Sequence, residues 1–419
     1  MSMNEAAGLA INGGPKTRSK PFPGRNLIGI EEKDAVDALF DAAIASGNAI
    51  GYNGLAEEAY CREFAAYMGG GYADAVNSGT TAVFVALKAL NLEPFTEVIV
   101  SPVTDPGGMM PIPLINCIPV VADAAPGQYN TGAAQIEEQI TPLTSAIVVA
   151  HIGGEPCDME PILQLAKKHS LPVVEDCAQA HGARLNGKLA RSFGDIAAVS
   201  TMFGKHHCTG GQGGIVFTQR EELYWRARQI ADRGKAFGLP AGSTNVEASL
   251  NFNSNELSAT IGRVQLRKLP GIAARRRQIV AALQQGFKDL QAISVPQITA
   301  GAEPSYWFWR LKVNAERLTC TKLEFCQAVQ AEGISLNPSY RAALPFQMDW
   351  FKNHAAFGSS GYPWSAPEYK GDRNREFLCP NALTAVESQF NLELSESWGD
   401  EEIADIIQAF AKVERVFLK

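Results

Sequence analysis

Between residues 77 and 218 the chain repeats one pattern: a short apolar run rich in β-branched residues, then a longer stretch with helical periodicity. The apolar runs are 97–100, 118–122, 146–150, 172–174, 196–200 and 214–217, and the helical periodicity falls on 80–90, 159–169 and 221–232. Apolar runs without polar alternation describe strands buried on both faces, and amphipathic helices between them supply the cover. The pattern therefore predicts an α/β fold around a mostly parallel sheet. In such sheets ligands gather at the carboxyl ends of strands, beside helix N-termini. The polar and glycine-rich segments of this chain fall at those places.

A second organisation follows. Residues 256–290 read as a long helix interrupted by Pro270, and 271–419 mix a strand-like 307–313 with helices at 322–332 and 401–416. The Pro/Gly/Trp-rich stretch 345–375 reads as a long loop of the kind that carries function. A chain of 419 residues exceeds what one core usually serves. Two domains are expected, a large one over 1–268 with the N-terminal segment and a small α+β one over 269–419.

Bulk properties exclude several functions. Hydrophobic residues at 46% and charged residues at 19% describe an ordinary globular protein, and a net charge of -7 without a clustered basic surface argues against nucleic acid. No window is apolar enough to cross a bilayer, and residues 1–15 lack a signal-peptide pattern, so a cytoplasmic protein that makes no membrane contact is expected. The eight cysteines are scattered without a C-x-x-C pair and the six histidines show no metal-ligand spacing. Reduced thiols and no metal are expected.

Three segments carry chemistry. Asn77-Ser78-Gly79-Thr80-Thr81-Ala82 precedes a helix, where free N–H groups and the helix dipole favour an anion, although Ser and Thr are ordinary helix caps as well. Val173-Val174-Glu175-Asp176 runs from an apolar strand into two acids, then Cys177-Ala178-Gln179-Ala180-His181-Gly182. An Asp buried there needs a partner, for which a protonated pyridine nitrogen is suited, while helix capping is the plain alternative. Ile196–Ser200 leads into Thr201-Met202-Phe203-Gly204-Lys205-His206-His207 and then Gly210-Gly211-Gln212-Gly213-Gly214. A lysine between a buried strand and a glycine cluster is placed for nucleophilic use. An anion seat, an acid and a lysine are together the inventory that pyridoxal 5'-phosphate (PLP) requires. Neither a G-x-x-x-x-G-K-[ST] nor a helix-opening G-x-G-x-x-G is present to compete.

On these residues the chain resembles the DegT-type (DegT/DnrJ/EryC1/StrS) sugar and cyclitol aminotransferases, a branch of the fold-type I, aspartate aminotransferase-like PLP enzymes. The resemblance runs from Gly51 to Val413. It implies a seven-stranded, mostly parallel sheet flanked by helices, plus a smaller α+β domain. Lys205 is implied as the residue that joins the PLP aldehyde as a Schiff base and then shuttles the substrate proton. Asp176 is implied at the ring nitrogen, Gln179 at the ring oxygen, and Ser78, Gly79, Thr80 and Ser200 at the phosphate. Asn251, in Leu250-Asn251-Phe252-Asn253, is similar to the asparagine that reaches the partner subunit's phosphate, which implies a homodimer with shared active sites. His151-Ile152-Gly153-Gly154 is similar to the family's His-x-x-Gly strand end; His151 and His181 read either as orienting groups or as satisfied structural histidines, and His206 and His207 either as substrate contacts or as residues that shape the loop. The implied reaction moves an amino group from glutamate or glutamine to a keto-sugar or keto-cyclitol, in amino-sugar, cell-surface or secondary-metabolite biosynthesis.

The chain departs from the family pattern at three places. Asp105 stands where an aromatic usually stacks on the cofactor, Gln212 where Glu is usual in Gly-Glu-Gly-Gly, and Asn253 where an Arg is common. Two other readings stay open on the sequence. Counting back from Gly213-Gly214 with a shorter loop puts His206 on the catalytic position, as in the branch that dehydrates keto-deoxysugars. Asp105 and Gln212 would also suit a non-catalytic, regulatory member.

Overall fold

The computed structural model describes residues 7–419. In chain order its first nine strands are β1 (Tyr72–Val76), β2 (Glu97–Val100), β3 (Ile118–Val121), β4 (Thr144–Ala150), β5 (Val173–Asp176), the two-residue pair β6 (Arg184–Leu185) and β7 (Lys188–Leu189), β8 (Ile196–Ser200) and β9 (Gly214–Thr218). Seven of them form the central sheet in the order β1-β9-β8-β5-β4-β2-β3. Within it β9 runs antiparallel to both neighbours, and every other adjacent pair is parallel. Strands β2, β3, β5, β8 and β9 are buried at every position, which is why their sequences show no polar alternation.

Helices cover the sheet: α1 (Ile30–Ser46), α2 (Leu55–Tyr67), α3 (Gly79–Ala89), α4 (Met159–His169), α5 (Glu221–Ala231) and α6 (Glu256–Phe287). The strands and helices expected between 77 and 218 fall within two residues of these bounds. Strand β1 was not anticipated because Asp74 interrupts its apolar run. In the fold Arg228 of α5 lies 3.4 Å from that carboxylate. Helix α1 escaped for the opposite reason: it is rich in alanine, and Glu32 is its one buried residue, so no apolar stripe marks it.

The break expected at Pro270 does not occur: α6 is one helix of 32 residues with Pro270 inside it. Leu266, Leu269 and Ala273 are buried on either side of the proline, so packing holds the helix straight through a residue that cannot donate its backbone bond. The same helix enters a second core, where Ile279, Val280, Leu283 and Phe287 pack against the rest of the chain. That core is built on β10 (Ile293–Ser294), β12 (Phe308–Val313), β14 (Gln389–Glu393) and β13 (Leu336–Asn337), in that spatial order. It is covered by α7 (Lys322–Ala331) and α9 (Asp400–Phe417), while α8 (Pro380–Ser388) packs on the first core. A further strand, β11 (Ala302–Glu303), pairs with β6.

The stretch 345–375 is less free than its composition suggests. It contains a 3-10 turn, Pro345–Gln347, and a short helix, Asp349–Lys352. Trp364 and Tyr369 pack with Ile118 of β3, and the Tyr369 hydroxyl donates to Glu97 of β2 at 2.8 Å. The segment is strapped along one edge of the sheet.

Candidate active site

The anion seat forms where β1 passes into α3. Ser78 caps the helix by accepting the Thr81 N–H at 3.1 Å, and Thr81 donates its hydroxyl to Asn77 at 2.8 Å. First-turn amides have no partner inside a helix, so those of Gly79 and Thr80 lie open at the positive end of the dipole. No acidic residue stands in that turn. Gly79 is required by crowding: a Cβ there would stand 2.5 Å from Ser200 Cβ at the end of β8. The same close approach brings the Ser200 hydroxyl to the helix start.

Asp176 is the last residue of β5, at the carboxyl end where parallel sheets collect ligands. Its Oδ1 accepts the Ala178 N–H at 3.0 Å, and its Oδ2 faces Gly108, where a Cβ would come to 2.8 Å. Burial pushes this carboxyl above its ordinary value, against the opposing effects of the Ala178 N–H and of Lys205. A buried carboxylate with one oxygen left facing a glycine cradle calls for a cationic N–H donor. Its neighbour Glu175 points to the other side and serves the fold. It accepts the N–H groups of Arg191, Phe193 and Gly194 at 2.7–3.0 Å and meets His151 Nε2 at 3.0 Å.

The loop after β8 is pinned at both ends. Thr201 N–H donates to Gly213 at 2.8 Å, Phe203 N–H to Gly211 at 2.7 Å, and Thr209 N–H to Thr201 at 3.0 Å. His206 and His207 then act as rivets on two sides. His206 Nε2 meets the Ser305 carbonyl at 3.0 Å, while His207 Nε2 lies 3.0 Å from the Tyr60 hydroxyl and 3.2 Å from the Gly262 carbonyl. Burial, with Arg191 adding to it, holds His207 down at about 3. Burial likewise drives His181 and His206 well below the usual imidazole range. Just before the two rivets Lys205 turns toward the cavity. Burial lowers its ammonium from the ordinary lysine value, and Asp176 and Asp105 oppose that shift.

These elements enclose a cavity of about 240 Å³ lined by Ser78, Gly79, Thr80, Asp105, Asp176, Ser200 and Lys205 among others. Seven expected residues thus share one space. Asp105 stands exposed at its edge, its carboxylate accepting the Gly107 N–H at 2.9 Å. Gln212, noted as a departure, also lines it, as do Gly107 and Gly108, whose lack of a side chain keeps the space open.

Other expected residues lie elsewhere. Gln179 has both ends engaged outside the lining, accepting the Gly153 N–H at 2.8 Å and donating to the Tyr340 hydroxyl at 3.0 Å. His151 is buried beneath the sheet, its Nδ1 accepting the Cys157 N–H at 2.9 Å, which leaves Nε2 to donate to Glu175. His181 and His206 form a buried layer with ring centroids 6.2 Å apart and do not line the cavity. Asn251 is exposed, away from this cavity, and accepts the Asn253 side-chain amide at 2.7 Å. The clustering of His151, Glu175 and Cys177 is the one three-ligand group among the described residues. The backbone donors on Glu175 and on His151 Nδ1 already account for it. Trp307, inside the aromatic run Tyr306-Trp307-Phe308-Trp309, and Tyr340 were not singled out in the sequence, because neither stands in a motif that gives it a role at the site.

Comparison with known proteins identifies the family. The DegT/DnrJ/EryC1/StrS aminotransferase family model matches residues 31–411. The chain belongs to that family. It is 32% identical over 284 residues to the GDP-perosamine synthase of Caulobacter vibrioides, covering 67% of this chain and 74% of that one. It is 29% identical over 430 residues to the L-glutamine:2-deoxy-scyllo-inosose aminotransferase of Micromonospora echinospora, covering 97% of each. Among solved structures it is similar to the aminotransferase from Psychrobacter cryohalolentis, with a TM-score of 0.80, 27% identity, and coverage of 93% of this chain and 98% of that one. No helix among the described residues is long and apolar enough to cross a membrane.

Proposed function

We propose that this chain is a PLP-dependent aminotransferase that moves an amino group from glutamate or glutamine to a keto-sugar or keto-cyclitol, with Lys205 as the residue bound to the cofactor. The observation that carries the reading is one cavity holding an open helix N-terminus, a buried carboxylate and a half-buried lysine. The residues suit the group at three points. The open amides of α3 and the Ser200 hydroxyl take a phosphate dianion. Asp176 Oδ2, kept open by Gly108, accepts a pyridinium N–H. Lys205, with its ammonium destabilised by burial, presents an amine. PLP, when bound, supplies an aldehyde that amines can join and a ring that takes up the electrons of a broken Cα–H bond.

The chain's own residues do the rest. Asp176 holds the proton on the ring nitrogen. Lys205, once its amine is free, would take the Cα proton as general base and return it, as general acid, to the carbon on the other side of the transferred nitrogen. Gln179, the residue that the family motif puts at the ring oxygen, is held by Gly153 and Tyr340. The names of the relatives, a perosamine synthase and an inosose aminotransferase, support a polyhydroxylated ketone as the acceptor. His206 in the catalytic role, as in a dehydratase, is disfavoured by its bond to Ser305.

Two features of the assembly belong to the same proposal. Exposed Ile30, Phe40, Ile44 and Leu55 gather on and beside α1, next to a groove of about 780 Å³ shared with α6. A homodimer covering that face would let Asn251 reach the partner's phosphate site. A domain boundary within α6, expected at 268/269, belongs here too: the helix gives Leu266 and Leu269 to the sheet core and Ile279 onward to the second core, so the change of core falls after Leu269. The protein is placed in the cytoplasm. The deciding experiment is borohydride reduction of the PLP-loaded protein, followed by peptide mapping. A pyridoxyl label on Lys205 is expected; a label elsewhere, or none, overturns the assignment.

A further inference from the structure

We propose that Trp307 is a positioning residue for Lys205, its indole face forming the wall that fixes where the amine stands at the cavity. The inference rests on Lys205 as the cofactor-linked residue. Lys205 Nζ lies 4.4 Å from the centroid of the Trp307 ring, within cation–π range. An ammonium or iminium over that face is attracted by the ring quadrupole, and the same face offers a neutral amine no hydrogen bond. The wall therefore favours the charged form without a carboxylate that would draw the nitrogen out of the cavity.

The frame around the pair is rigid on both sides. Trp307 N–H donates to the Gly153 carbonyl at 2.8 Å. Gly153 sits at φ +69, and a Cβ there would come within 2.9 Å of Phe308, so the turn that receives Trp307 is specific to glycine. Arg276 of α6, 1% exposed, donates to the Tyr306 carbonyl at 2.7 Å and to Glu396 at 2.9 Å. Glu396 also receives Arg25 at 3.1 Å, and Arg25 in turn donates to the Gly204 carbonyl, one residue before Lys205. One carboxylate thus ties together the segment that carries Trp307, just ahead of β12, and the loop that carries Lys205. The His206 ring stands 5.6 Å from Trp307 on the buried side. This network explains why a buried Arg276–Glu396 pair is present so close to a site it does not line.

The charged and titratable groups around the amine are Asp176 and Asp105 toward the cavity and His181 and His206 behind it. Of these only His206 touches Trp307, and its ring, driven well below the usual imidazole range by burial, carries no charge to change, so a shift on substitution reports the indole. The test is an absorbance titration of the lysine-linked chromophore in PLP-loaded wild type, Trp307→Phe and Trp307→Leu. The midpoint is expected to fall by about 0.5–1 unit in Trp307→Leu and by less in Trp307→Phe, because removing the ring removes stabilisation of the charged nitrogen. Replacing Trp307 alone with progressively fluorinated tryptophans keeps the shape and drains the face. A stepwise fall in the midpoint is expected there even if Trp307→Leu does not fold. A midpoint that stays put across the fluorinated series overturns the inference. Failure of wild type to form any lysine-linked chromophore instead overturns the assignment of Lys205 itself.

Discussion

Gln179 and Tyr340 are joined by a hydrogen bond of 3.0 Å, the amide donating to the phenol. The bond links the turn after β5 to a segment that arrives from the second core, and the Tyr340 ring stacks on Tyr129 with centroids 5.6 Å apart. Burial raises the Tyr340 phenol to about 12, so it stays a neutral hydroxyl at any working pH. The contact therefore sets the rotamer of a residue that the family motif places beside the cofactor.

Tyr340→Phe keeps the stacked ring and leaves the Gln179 amide without its acceptor. Stability is expected to fall by about 1–2 kcal/mol, the cost of a buried unpaired donor, with the fold retained. Urea denaturation checks it. A midpoint equal to wild type would mean that Gln179 turns elsewhere at no cost.

Gly79→Ala tests the anion seat. The new Cβ would stand 2.5 Å from Ser200 Cβ and 2.9 Å from its Oγ, so α3 must move from β8 and both halves of the seat separate. Loss of about 1–3 kcal/mol in stability is expected, with PLP affinity at least about tenfold weaker. Gly211→Ala, with no atom within 4 Å of its Cβ, is the matched control and should change neither. Equilibrium dialysis with PLP and a melting curve separate the two, and equal retention by both variants would count against the phosphate assignment.

Much of this was readable in the sequence because the informative residues are local. Ser78 to Thr80, Asp176 and Ser200 each sit at a strand end or helix start, with Lys205 in the loop just past β8, and the apolar runs that mark those ends are unambiguous in a doubly covered sheet. What escaped depends on contacts far along the chain. Trp307 meets Lys205 across 102 positions through cation–π contact, a distance no periodicity reports. Tyr340 reaches Gln179 across 161 positions. His206 and Lys205 are adjacent in sequence, and only the fold separates them, one on Ser305 and the other in the cavity. The missed β1 and the continuous α6 share a cause: a single unfavourable residue, Asp74 or Pro270, is outweighed by tertiary partners.

Glu175→Gln tests the network under the sheet. Glu175 Oε1 accepts from Phe193 and Gly194, and Oε2 from Arg191 and His151. Either orientation of a Gln amide sets an NH2 against backbone donors, and His151 cannot exchange roles because its Nδ1 holds the Cys157 N–H. A loss of about 2–4 kcal/mol is expected. Burial raises this carboxyl, but the bonds from His151, Gly194 and Arg191 outweigh it, and the net direction is down from 4.5. The folded state therefore binds this proton less readily than the unfolded chain. The stabilisation is complete above about 4.5 and is lost as pH falls through the lower folded value. Acid denaturation followed by circular dichroism should be less steep below that pH in Glu175→Gln. Superimposable acid limbs would remove Glu175 from the account.

Glu57 has the opposite sign. It is buried in the first turn of α2 beside the start of α6, accepting the Asn53 N–H at 2.8 Å while its own N–H donates to Glu256 at 2.9 Å. Burial lifts its carboxyl from 4.5 to about 7. Asp74 and Glu256 add to the rise, and the Asn53 N–H and Arg228 oppose it. Between those two values the folded chain keeps a proton that the unfolded chain releases, so stability declines as pH rises through that window. Glu57→Gln keeps an oxygen for Asn53 and carries no charge to bury. It should match wild type near pH 4.5 and exceed it by about 1–3 kcal/mol at pH 8. Asp74, raised by burial to about 6, leaves the variant a shallower slope of the same sign. Urea titrations at four or five pH values distinguish the cases, and parallel profiles for the two proteins would show that Glu57 is ionised in the fold throughout.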